Sequence, residues 1–158
     1  MSTLCRVFVA ALIGATALPM AASATELPMQ HLLTLAFAQR IAAGAQARAK
    51  AQGWPCVIAV VDAEGLPLLL IRMDNAPVLA GVELAPGKAR TAALFRHPSG
   101  ALEDAANVRP ALLSSGFVLM QGGLPIKVDG QVIGAIGVSS DSPQHDEDIA
   151  KAGIAVLN

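Results

Sequence analysis

Gly122-Gly123-Leu124-Pro125-Ile126-Lys127-Val128-Asp129-Gly130-Gln131-Val132-Ile133-Gly134-Ala135-Ile136-Gly137-Val138-Ser139 is the stretch that decides the fold. Two apolar runs flank an Asp-Gly pair. Asp129 and Gly130 tolerate the positive φ that a two-residue hairpin turn requires. The stretch therefore predicts a β-hairpin. Its second strand carries Gly134 and Gly137, so one face is left bare and invites the close approach of a backbone or a ligand.

Working outward, Val57 to Val61 is a β-branched run, and Asp62-Ala63-Glu64-Gly65 is a turn. Leu66 to Met73 returns as a second strand. Met29 to Gln52, with Leu32, Leu35, Ala36, Ile41 and Ala45 at helical spacing, predicts a long helix that Gly53 ends. Pro77 to Glu83 is a short helix or loop. Pro86 opens a helix to Phe95, and Ser99 caps another to Ala106. Arg109 to Gly116 is irregular, and Phe117 to Gln121 reads as a short strand. Asp141-Ser142-Pro143 opens a final helix whose Asp146, Glu147 and Asp148 suit its positive end. Strands in antiparallel pairs, with helices between them, give an α+β domain with one antiparallel sheet.

The first 24 residues read as a secretory signal peptide: Arg6, an apolar run from Val7 to Leu18 and a small-residue cleavage site at Ala22-Ser23-Ala24. Residues 25–158 then form a single domain, periplasmic or secreted, with no membrane insertion of the mature chain. Loss of Arg6 takes Lys and Arg from 11 to 10 against 12 Asp and Glu, a net charge of −2. That balance offers no basic patch for nucleic acid. Cys5 leaves with the leader, so Cys56 stands alone without an internal disulfide. An Ala-rich domain with few charges is expected to bury apolar surface between copies of itself.

Val60-Val61-Asp62-Ala63-Glu64-Gly65, Arg72-Met73-Asp74-Asn75-Ala76, Lys88-Ala89-Arg90-Thr91-Ala92, Gly122-Gly123-Leu124-Pro125-Ile126 and Gly134-Ala135-Ile136-Gly137-Val138-Ser139 follow one another in order. Asp146-Glu147 and Ala152-Gly153 come after them. Together they resemble the GlcG/HbpS family of haem-binding, or haem-degrading, domains, which is similar to the C-terminal part of PduO-type proteins. The resemblance covers nearly all of residues 25–158. It implies a profilin-like fold with a five-stranded antiparallel sheet between helices. It also implies a homo-oligomer, an octamer in many members, with haem as cofactor in some and a membrane sensor protein as partner in some secreted ones. Ser140 departs from the family pattern, which often has Gly there.

Haem iron needs an axial donor beside an apolar slot. The chain has no Tyr. His31, early in the first helix, and His97, between Arg96 and Pro98, are the axial candidates. His145 sits beside carboxylates and reads as solvated. Met29, Met73, Met120 and Cys56 are soft alternatives. No His pair has metal-binding spacing. Arg72, Asp74, Lys88, Arg90 and Thr91 form a polar group suited to haem propionates or to another small-molecule carboxylate. The competing reading is an Arg72–Asp74 ion pair with Lys88 in water. Gly122 and Gly123 form either a ligand wall or a tight bend. No nucleophile–base–acid set is visible, so no catalytic residue is assigned. Three functions follow from these residues. One is a secreted haem-binding protein for scavenging, storage or redox sensing. The second is an enzyme or accessory protein for a small hydroxy- or oxo-acid, held by Arg72, Lys88 and Thr91. The third is an interaction module without a small ligand.

Overall fold

The computed structural model describes residues 29–157, so the stretch expected to be a signal peptide, residues 1–24, lies outside the described residues. The first helix, α1, is Leu35–Gln52. It starts later than the periodicity predicts because Thr34 caps it, accepting a bond from Phe37 N at 3.4 Å. Leu33 is thereby released from the helix and buried over Gly134. Gly53, at φ 70°, ends α1 as expected.

The first hairpin is β1, Val57–Asp62, and β2, Pro67–Arg72. Its turn is tied by Asp62 Oδ1, which accepts from Glu64 N at 3.0 Å and Leu66 N at 2.8 Å. The second is β3, Gly123–Val128, and β4, Gln131–Ser139, joined through Asp129 and Gly130 at φ 49° and 78°. The strand order is β2-β1-β4-β3, all antiparallel. The α+β reading holds, but the sheet among the described residues has four strands rather than five. Phe117 to Gln121 forms no strand. That segment is fastened by side chains instead: Phe117 meets Phe95 edge-on at 5.0 Å, and Gln121 N donates to Glu103 Oε2 at 2.9 Å.

Gly81–Phe95 forms one helix, α2, with Pro86 inside it. Pro86 therefore does not open the helix, contrary to its reading in the sequence. The lost backbone bond is offset by packing, since Ala85, Ala89, Ala92 and Ala93 are all buried against the sheet. Ser99 begins α3, Ser99–Val108, but does not cap it. Its hydroxyl donates to Met120 O at 2.6 Å and accepts from Gly123 N at 2.8 Å. Pro110–Ser114 is a 3-10 turn where irregular chain was expected. The last helix, α4, is Pro143–Ile154; it opens at Ser142-Pro143 as expected, and Ser142 caps it, its hydroxyl accepting from His145 N at 3.3 Å.

The sheet lies between two helical layers. Ile58, Val60, Ile136 and Val138 pack with Ile41 and Ile149 of α1 and α4 on one face. Val57, Ala59, Val61 and Ala135 pack with the alanines of α2 on the other. The face stripped of side chains at Gly137 is occupied by α2 itself: a Cβ there would stand 2.6 Å from Ala89 N and 3.0 Å from Ala89 Cβ. At Gly123 it would stand 2.7 Å from the Lys88 carbonyl carbon. The bare surface expected to admit a ligand is thus filled by the chain's own backbone.

Candidate functional site

Close approach of α2 to Gly122 and Gly123 carries Lys88 into the interior. Its side chain is 2 % exposed. Nζ reaches Asp146 Oδ2 at 2.6 Å and donates to Val138 O at 3.0 Å. Asp146 Oδ1 accepts from Ser140 N at 2.5 Å and Ser140 Oγ at 2.6 Å. The residue that departs from the family pattern therefore helps to hold the buried carboxylate. One ion pair ties α2, the end of β4 and the first turn of α4. Among the described residues no buried side-chain polar atom lacks a partner. A hollow of about 140 Å³ lies beside the pair, walled by Val78, Leu84, Met120, Ser139 and Ser142. Burial, reinforced by the Asp146 charge, pushes the Cys56 thiol up to about 12, so it is no nucleophile at neutral pH. Its Sγ rests 3.6 Å from Met73 Sδ.

The rest of the predicted polar group does not gather there. Arg72 and Asp74 are exposed at the end of β2, and no ion pair joins them. Thr91 is buried and donates to Gly87 O of its own helix at 2.9 Å. Arg90 is exposed, 5.1 Å from the Phe117 ring centre and close to Gly65 at the β1–β2 turn. The walls around Lys88 include neither Arg72 nor Thr91. Gly122 and Gly123 make room for Lys88 and Asp146: a Cβ at Gly122 would stand 2.6 Å from Asp146 Cβ and 3.3 Å from Lys88 Nζ.

The three histidines have unlike surroundings. His97 is exposed just after the α2 C-cap, Arg96. His145, read as solvated, is half-buried. Its ring stacks on Trp54 at 3.6 Å, and Nδ1 meets Asp141 Oδ1 at 2.8 Å. That bond holds the Asp141 carboxyl below its ordinary range. His31 stands at an apolar hollow of about 220 Å³ with Leu32, Leu33, Phe37, Val128, Ile133 and Leu157. Its Nε2 lies 3.6 Å from Asp129 Oδ2 across the hairpin turn. Arg40 sits over the Phe37 ring at 5.3 Å. Phe37, Arg40 and the hairpin residues at this hollow were missed by the sequence reading. Thr34 was the available signal, because a cap there frees residues 29–33 to fold over β4. Two larger open grooves, of about 450 and 420 Å³, flank α3, and their lining has no histidine or cysteine.

Residues 33–155 match the model of the family described as haem degrading protein HbpS-like. The chain belongs to the HbpS-like family. A double mutant of Streptomyces reticuli HbpS superposes with a TM-score of 0.78 at 34 % identity, covering 91 % of this chain and 99 % of that one. A crystal structure described as a PduOC:heme complex superposes with a TM-score of 0.74 at 31 % identity, covering 81 % of this chain and 96 % of that one. Protein GlcG of Escherichia coli K12 is 41 % identical over 111 residues, 68 % of this chain and 81 % of GlcG.

Proposed function

We propose that this HbpS-like protein binds haem, with His31 as the axial donor. The observation that carries the reading is the placement of His31: of the three histidines, it is the one that lines an apolar hollow. The haem complex of the related PduOC domain supports the same ligand. The donor chemistry fits, because a neutral imidazole is a common haem ligand and an apolar wall suits a porphyrin edge. The hollow is smaller than the roughly 300–1,000 Å³ that encloses most small ligands. A macrocycle would therefore be held there in part, and the exposed Met29, Leu32 and Leu35 would extend the apolar surface that meets it. Arg40, held over Phe37, is the cation placed to meet a propionate. Bound iron supplies axial-ligand and redox chemistry; the chain supplies the donor, the wall and the counter-charge.

With residues 1–24 read as a leader, the setting is extracytoplasmic, and the role is scavenging, storage or redox sensing. Among the described residues no helix is long and apolar enough to cross a membrane. Self-association, up to an octamer, and contact with a membrane sensor protein belong to this same proposal. A carboxylate clamp of Arg72, Lys88 and Thr91 has no common cavity to serve.

Titration of the apo-protein with haemin tests the reading. A saturable shift of the Soret band is expected, unaltered in His97→Ala and lost or strongly altered in His31→Ala. No saturable shift at micromolar protein contradicts haem binding, and an unchanged spectrum in His31→Ala contradicts the axial assignment.

A further inference from the structure

The two longest helices end in the same conformation on unlike residues. α1 stops at Gly53, at φ 70°, and α2 at Arg96, at φ 59°. This left-handed backbone suits glycine and strains a residue that carries a Cβ. Glycine would serve the end of α2 better, so the guanidinium points to a use outside the helix. Arg96 lines a hollow of about 110 Å³, walled also by the buried Ala93. Glu64, from the β1–β2 turn, lines the same hollow. Neither charge is in an ion pair among the described residues. Two opposite charges thus share one hollow without meeting, and Gln30 and Gln131 add a carboxamide each. Arg90, the neighbouring cation of α2, lies over Phe117 and is not a wall. A water takes about 30 Å³ in the liquid, so the hollow has room for about four. Glycine or alanine is of that size, and a porphyrin is far larger.

We propose that this hollow binds a small α-amino acid, its carboxylate on Arg96 and its ammonium on Glu64. A guanidinium meets a carboxylate through paired N–H donors, and a carboxylate accepts from an ammonium. A carboxamide offers a donor to the one and an acceptor to the other. The hollow lies at the C-terminal end of α2, where the helix dipole favours a cation and opposes a lone anion. A ligand that carries both charges therefore suits it better than a plain carboxylate. The site shares no wall residue with the hollow at His31 and is independent of haem.

Calorimetric titration of the wild type, Arg96→Gly and Glu64→Gln with glycine, alanine, acetate and methylammonium tests it. Glycine or alanine is expected to bind the wild type saturably. Acetate and methylammonium, each with half of the charges, are expected to bind about tenfold more weakly or worse. Each variant is expected to weaken amino-acid binding by a similar factor. Ligand-free Arg96→Gly should melt at or above the wild-type temperature, since glycine relieves the strained helix end. No saturable heat with either amino acid overturns the site. Acetate that binds as tightly as glycine overturns the two-charge ligand in favour of a plain anion. Amino-acid binding undiminished in Arg96→Gly or in Glu64→Gln overturns the placement. A lower melting temperature for Arg96→Gly assigns Arg96 to the fold and overturns its reading as a ligand group.

Discussion

Two polar centres of this molecule stand in contrast: the Lys88–Asp146 pair under α2 and His31 beside the β3–β4 hairpin. The first is closed, with side chains 2 % and 6 % exposed and every polar atom engaged. The second is open, with a 58 % exposed imidazole at an apolar hollow. A charge that has spent its bonding capacity on its own fold has little left for a ligand. A donor with spare capacity and an apolar wall beside it can receive one. Sequence motifs weight the two centres the other way, because Lys88 lies in a family motif and His31 does not.

Breaking the closed centre should have the largest effect. Lys88→Met leaves Asp146 buried without its cation and is expected to cost about 3–5 kcal/mol in urea unfolding. A loss below about 1 kcal/mol would show that the pair is not structural. A chemical probe sharpens the same comparison. Cys56, beside the closed centre, should resist a thiol reagent at pH 8 in the folded protein and react on unfolding. Fast reaction of the native protein would mean that the core around it opens readily.

A smaller effect belongs to the rim of α4. Hydrogen bonds from Lys151 and Gln121 hold the Glu147 carboxyl below its ordinary value of 4.5. Its folded pKa is depressed, so its contribution is present above the unfolded value and is lost as the pH falls through the folded one. Glu147→Gln should lower neutral stability by up to about 0.5 kcal/mol, and that deficit against the wild type should vanish as the pH falls below about 4.5, giving a flatter acid limb. An unchanged acid limb would show that the pair contributes nothing. His31→Ala should cost least in stability, also within about 0.5 kcal/mol, since the side chain is exposed.

Legibility in the sequence followed locality. Both hairpins, the Gly53 stop and the opening of the last helix at Pro143 were readable because each depends on a few adjacent residues with special backbone chemistry. Phe117 to Gln121 has strand-like composition, but Ser99 and Glu103 take up Met120 O and Gln121 N that a strand would offer to a neighbour. The glycines of β4 announced a close approach but not its occupant, and the occupant is α2. Lys88 and Arg72 share a family pattern, yet the direction of α2 buries one and leaves the other at a sheet edge. His31 was visible as a donor. Its hollow was not, because Phe37, Val128, Ile133 and Leu157 come from separate elements that meet only after folding.

The central claim is that the open centre takes haem through His31. Imidazole rescue tests it most directly, with haemin titrated into the wild type and His31→Gly, each with and without free imidazole. The account predicts a Soret shift in the wild type, its loss in His31→Gly, and its return when imidazole fills the vacated position. A His31→Gly protein that binds haemin with the wild-type spectrum, or one that imidazole cannot restore, would contradict it.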